Sequence, residues 1–166
     1  GLLGKVAIST WSVVAARVVA AHIIHGVGFL LVVLVLVFWH GAVSWQWLPT
    51  IVPAWAAMFV LSLALAQIAA ICNVFAKDTQ QILGYLLTAW MFLTPILYDS
   101  SLLPQNFAFW AALNPMAELI SGIRSPLLWA DATSLWVWRG ALMASMCLLL
   151  AWLMHRRFRA YVREFL

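Results

Sequence analysis

The sequence predicts an all-α integral membrane protein, and three observations carry that expectation. Between Arg17 and Lys77 the chain runs 59 residues without one Asp, Glu, Lys or Arg. Hydrophobic residues make up 66% of the chain and charged residues 8%, against roughly 25% charged in a soluble domain. Eleven tryptophans stand among 166 residues. Trp favours bilayer interfaces, where its ring is buried and its N–H stays wet.

A bilayer core about 30 Å thick needs about 20 apolar helical residues to cross it. The charge-free run is therefore long enough for two crossings. A polar break at His40, Gly41 and Ser44, continuing to Pro49, divides it. Lipid leaves an unpaired backbone group without a partner, so the spans are expected as helices. The short alternating segments of a membrane barrel do not occur in this sequence.

Four spans follow in order, within a single transmembrane domain over 1–166. The first covers about 18–39, with 29–38 wholly apolar. The second covers about 51–75, the third about 82–98 and the fourth about 135–154. A basic tail occupies 155–166. Lys5, Arg17, Lys77, Arg156, Arg157, Arg159 and Arg163 fall on one side of this arrangement, and Arg124 and Arg139 on the other. By the positive-inside rule both ends face the cytoplasm. The pI near 9.6 then reports orientation, and no nucleic-acid partner is expected. The uncharged connection at 41–50, with Trp45 and Trp47, suits an outer interface. Residues 1–9 lack the n-region and cleavage site of a secretory signal. The chain opens at Gly1 inside a segment, so a preceding N-terminal part is expected.

Residues 99–133 do not read as an ordinary outer loop. Stretch 107–113 is apolar and 116–128 half apolar, each too short to cross, and Pro104, Pro115 and Pro126 punctuate them. Short apolar helices returning to one side read as re-entrant or interfacial helices. Glu118 and Arg124 lie in this segment. Ionisable groups at such a place are functional candidates; the alternative is that both sit solvated or paired in the outer headgroup region.

Physical roles can be given to several residues directly. Pro95, near the outer end of the third span, removes an N–H and is expected to kink the helix. Pro115 pushes Asn114 out of helical geometry and opens a new helical turn. Asp78 stands at the cytoplasmic start of the third span, where it can cap the helix or contact a partner. Tyr85, Phe92 and Tyr98 belong to the third span, with Trp90 on another face. Phe107, Phe109 and Trp110 follow on the outer side. Such rings either anchor and pack, or form a path on which sugars slide. His22 and His25 share a face, His40 stands near the outer end, and no carboxylate accompanies them. Cys72 and Cys147 show no metal or redox spacing and read as small apolar residues.

No Walker P-loop, no Gly-x-Ser-x-Gly and no His-Glu-x-x-His occurs. The five carboxylates pair at no catalytic spacing, so neither an enzyme nor a resident cofactor or metal is expected. Ion-coupled transporters place a carboxylate in mid-membrane; the expected span cores hold none. Any uphill transport must then draw on another subunit.

Residues 73–128 carry four motifs in order: Lys77-Asp78, Leu93-Thr94-Pro95-Ile96-Leu97-Tyr98, Leu103-Pro104, and Asn114-Pro115-Met116-Ala117 with Arg124 and Leu127-Leu128 behind it. In these the chain resembles the membrane subunit of ABC-2-type exporters, specifically the branch exporting lipid-linked polysaccharides such as O-antigen and teichoic acid. The family usually has Arg where Lys77 stands. The resemblance implies the C-terminal part of a roughly six-span permease in the inner membrane. It implies a partner ABC ATPase that hydrolyses ATP, a second copy of the chain, membrane lipid around it and a lipid-linked glycan as substrate. On that footing Lys5, Arg17, Lys77 and Asp78 would meet the ATPase. Tyr85, Phe92, Tyr98, Phe107, Phe109 and Trp110 would line the substrate path, and Pro95, Asn114, Pro115, Glu118 and Arg124 would form the gate and kink. The alternatives are an ABC-2 exporter of a drug or another lipid, and a membrane scaffold subunit without transport.

Overall fold

The computed structural model describes residues 9–40, 47–96, 98, 104–129 and 135–164, all in helices and the short turns between them. The six helices are α1 (Thr10–His40), α2 (Leu48–Phe75), α3 (Thr79–Leu93), α4 (Gln105–Ala112), α5 (Pro115–Trp129) and α6 (Leu135–Glu164). Three stretches are long and apolar enough to cross a bilayer: Thr10–Trp39, Leu48–Phe75 and Leu135–Arg159. They contain the expected first, second and fourth spans. Lys5, Gly41, Ser44, Trp45 and Leu103 lie outside the described residues.

The third expected span comes out shorter. α3 has 15 residues, about 22 Å at 1.5 Å per residue. It stops at Leu93 where an extension to Tyr98 was expected. Pro95 ends this helix instead of kinking it. The residue before a proline is pushed out of the α region, and Thr94 sits extended at φ −90°, ψ 128°. Asp78 occupies the N-cap position of α3, but its side chain makes no capping hydrogen bond. The Thr79 hydroxyl donates to the Ala76 carbonyl at 2.6 Å, tying the first turn of α3 to the preceding turn.

α2 is the hub, packed along α6 and against α5, α1 and α3. Its buried positions are Thr50, Ala54, Ala57, Leu61, Ala64, Gln67 and Ile71, a three-four spacing that makes one stripe. α6 answers with buried Val137, Gly140, Ala144 and Ala151 at similar spacing. Small residues let helix backbones approach closely in lipid. α5 lies in the cleft between these two helices. A Cβ on Gly122 would collide with Val137 Cγ2 and come within 3.5 Å of Ala54 Cβ. One on Gly140 would meet Leu119 Cδ2 at 2.7 Å and Cγ at 2.8 Å. Leu119 is wholly buried with Ala57, Leu61 and Ala144, and Trp90, Met116 and Cys147 pack around them.

Ring contacts order one end of the bundle. Trp11 meets His155 at 5.2 Å, Phe75 meets Phe158 at 5.3 Å, and the buried Gln67 amide donates to the Trp11 carbonyl at 2.9 Å. The start of α1, the end of α2 and the end of α6 therefore share one end, together with Arg17, Lys77, Arg156, Arg157 and Arg159. α1 is the least embedded long helix: it meets α2 through Phe29 stacked on Trp55 at 4.9 Å and His22 set against Phe59 and Trp55.

Gly122→Ala and Gly140→Ala should each lower stability by about 1–3 kcal/mol, the cost of overpacking. Gly28→Ala and Gly84→Ala, whose added Cβ meets nothing within 4 Å, should be neutral or gain up to about 1 kcal/mol from helix propensity. Thermal unfolding of the four variants in one detergent checks the order, and equal behaviour of the two pairs refutes the close approach.

Candidate functional site

The end of α3 raises a local problem. The last turn of any helix leaves carbonyls without intrahelical partners, and Pro95 has no N–H to offer them. The chain supplies partners from the turn that follows, and α5 bonds that turn in its place. The Thr94 N–H and hydroxyl both donate to the Trp90 carbonyl, at 2.9 and 2.8 Å. The Tyr98 hydroxyl donates to the Phe92 carbonyl at 3.0 Å. Arg124, reaching from α5, donates through Nη1 to the Pro95 carbonyl at 3.1 Å and the Tyr98 carbonyl at 3.5 Å.

Asn114 joins this end to the α4–α5 hairpin. Pro115 places Asn114 outside the helix and opens α5, as the sequence predicts. The Asn114 Oδ1 then accepts from the Met116 N–H at 3.1 Å, the geometry of an N-cap. The same oxygen accepts from the Trp90 indole N–H at 3.0 Å, and Asn114 Nδ2 donates to the Thr94 hydroxyl at 2.8 Å. The Leu-Thr-Pro and Asn-Pro motifs, twenty residues apart in sequence, thus meet in one hydrogen-bonded junction.

A second polar contact holds the hairpin to α6. Glu118 is buried, 7% exposed, and pairs with Arg139 at 3.4 Å. The same Arg139 nitrogen donates to the Ala112 carbonyl at the end of α4, at 3.2 Å. The other carboxylate oxygen, Glu118 Oε2, is buried with no hydrogen-bond partner among the described residues. Burial pushes the Glu118 carboxyl above its usual value, and the Arg139 guanidinium opposes that rise. Arg139 carried only an orientation signal in the sequence; its link to Glu118 bridges 21 residues and no local pattern announces it.

The remaining candidates lie apart. Tyr85 and Phe92 stand on the uncovered side of α3, 79% and 60% exposed, while Trp90 faces the bundle. Phe107, Phe109 and Trp110 are exposed on α4. Arg17, Lys77 and Asp78 are exposed near the opposite end. Pro126 lies buried inside α5 without ending it. His25 is exposed, and among the described residues no group of three or more metal-binding side chains comes together.

A helical multi-pass membrane bundle with a short polar-locked hairpin between its last two long elements defines the class. A family model described as ABC-2 type transporter matches residues 5–128, and the chain belongs to that membrane family. It is also similar to the O-antigen export system permease protein RfbA of Myxococcus xanthus, 41% identical over 66 residues. That match covers 39% of this chain and 25% of the relative, so the chain aligns with a quarter of that protein's length.

Asn114→Ala leaves half-buried donors on Trp90 and Met116 unmatched and should cost about 1–2 kcal/mol. Thr94→Val should cost about 1 kcal/mol, and the double variant less than the sum, because the two share a bond. Denaturant or thermal unfolding of the cycle measures the coupling; strict additivity refutes the junction.

Arg139→Gln should push the Glu118 pKa higher still. A carboxyl raised on folding stabilises while protonated, so that contribution is present below its unfolded pKa and is lost as pH rises through the folded value. The unfolding temperature of Arg139→Gln should therefore fall with rising pH above the ordinary carboxylate range. Adding Glu118→Gln should flatten that fall.

Proposed function

We propose that the chain is part of the permease of an ATP-driven exporter that moves a lipid-linked polysaccharide across the inner membrane, with ATP hydrolysed by a separate ABC subunit and two copies of the chain flanking the path. The reading is supported by the family match and by the O-antigen export relative. The observation that carries it is the α4–α5 hairpin, whose turn is bonded through Asn114 to Trp90 and Thr94. The cluster beside that turn includes Ala57 and Leu61, roughly 13–20 Å along α2 from Leu48 at 1.5 Å per residue.

In this reading α3 completes a fourth crossing together with the turn after it. The hairpin is re-entrant, entering from the outer side and returning to it. Irregular backbone at membrane depth needs protein cover or a wet cavity, and the junction provides the cover. Tyr85 and Phe92, two turns apart on one uncovered face, line the path, with Tyr98 above them. Phe107, Phe109 and Trp110 form part of its outer closure. Aromatic rings offer flat apolar faces to sugar C–H groups while making few directional bonds, which suits passage over retention. Pro95, Asn114, Pro115, Glu118 and Arg124 hold the closure in place. Both ends of the chain are cytoplasmic, and Lys5, Arg17, Lys77 and Asp78 meet the ATPase.

Tyr85→Ala with Phe92→Ala, in the full transporter, should reduce glycan export severalfold while abundance and ATPase assembly stay normal. Normal export at normal abundance removes the path assignment; loss of the protein itself shows that these rings pack against neighbouring helices. The permease purified alone should hydrolyse no ATP. Charge reversal at Arg17 and Lys77 together should weaken ATPase assembly, and unchanged assembly takes both residues out of that interface.

A further inference from the structure

The end of α6 carries four cations, and all four are arginine: Arg156, Arg157, Arg159 and Arg163. About 20 residues cross a bilayer core. Counted from Leu135, the hydrocarbon ends near Met154, and the arginines begin within the next turn. Trp152, 43% exposed, stands at the depth where tryptophan anchors a helix to the interface. The Arg156 guanidinium lies over the Trp152 ring, 4.6 Å from its centroid.

At 3.6 residues per turn, Trp152, Arg156, Arg159 and position 163 fall within about 60° of one another. They form one stripe on the side of the helix turned away from its packed contacts. The packed side of α6 is elsewhere: Ala151 is buried, His155 meets Trp11 and Phe158 meets Phe75. Arg156 and Arg159 are exposed. Arg157 lies about 100° or more round the helix from the others. The one carboxylate beyond Leu135, Glu164, falls off the stripe as well.

We infer that this stripe binds the phosphate groups of anionic phospholipids in the leaflet that the C-terminal end of α6 reaches. The guanidinium fork matches two phosphate oxygens at once, which an ammonium does not. The cation–π contact holds Arg156 extended along the helix before any lipid arrives, so less freedom is lost on binding. The charges on the stripe are all positive, and it begins at Trp152, at the edge of the hydrocarbon counted from Leu135. Charge complementarity and depth together favour a phospholipid headgroup over an acidic protein surface. The inference stands whatever substrate the transporter moves.

The test uses the full chain, with its ATPase where that is needed for stability, in phosphatidylcholine nanodiscs doped with labelled phosphatidylglycerol. Juxtamembrane cations contribute about 1 kcal/mol each, a factor of about five. The triple variant R156Q/R159Q/R163Q should lose roughly tenfold or more of the preference for phosphatidylglycerol, and R157Q should keep it. W152L should give a smaller loss, through Arg156 alone. Inorganic phosphate at millimolar concentration should not displace the labelled lipid. Unfolding temperatures of all variants establish that they remain folded. Undiminished preference in the triple variant overturns the inference. Equal loss in R157Q reduces the effect to diffuse charge and overturns it too. Displacement by free phosphate shows a headgroup-independent anion site, and loss of ATPase assembly with lipid preference intact shows a protein-docking surface; either result overturns it.

Discussion

Lipid tails are as apolar as leucine, so helices inside a bilayer gain nothing by hiding leucine from their surroundings. The pairing of α2 with α6 depends instead on close approach. Ala54, Ala57 and Ala64 on one helix and Gly140, Ala144 and Ala151 on the other leave little side chain at their buried positions. Dispersion grows with the number of atoms in contact, and short side chains bring whole backbones into range. The cleft this pair forms is shaped for one more helix. Leu119 of α5 fills the space over Gly140, and Gly122 admits Val137. The position of the hairpin, and of everything bonded to it, follows from that fit.

The second constraint is polar. A proline that ends a helix inside a packed membrane bundle exposes carbonyls where few donors exist. Thr94, Tyr98 and Arg124 supply donors at the end of α3, and Asn114 uses both ends of its amide to tie Trp90, Thr94 and Met116 together. Each of these side chains closes a need created by another. Pro95 and Pro115 make little sense singly. Together they create two helix ends that face one another, with Asn114 between them.

The long elements were legible in the sequence because their signal is local and redundant. Twenty apolar residues suffice to mark a span, and α1, α2 and α6 contain the expected ranges. The end of α3 is not legible in the same way: the run from Ile96 to Tyr98 is as apolar as the helix before it, so hydropathy alone cannot see where the turn begins. The residue types of the junction were legible, since Pro115 dictates a non-helical Asn114. Its bonds were not: Asn114 to Trp90 and Glu118 to Arg139 join separate helices, and no spacing rule links them. Tryptophan misled in two places. Composition suggests interfacial anchors, yet Trp55 stacks on Phe29 between helices and Trp90 packs against the core cluster and donates its indole N–H to Asn114.

The contacts divide the bundle mechanically. α2, α5 and α6 share the close-packed cluster, and displacing any one opens a void that costs dispersion and burial. α3 shares little of it; none of its residues is buried. It is held at one end by the turn through Ala76, Lys77 and Asp78 and at the other by Asn114 and Arg124. A helix fixed mainly at its ends moves as its anchors move. Any shift of the hairpin against α6 must stretch the Arg139 contacts to Glu118 and Ala112 and carry the far end of α3 with it. The far end of α3 and the α4–α5 hairpin are therefore joined through the Asn114 amide and the Arg124 guanidinium, beside the close-packed α2–α6 pair.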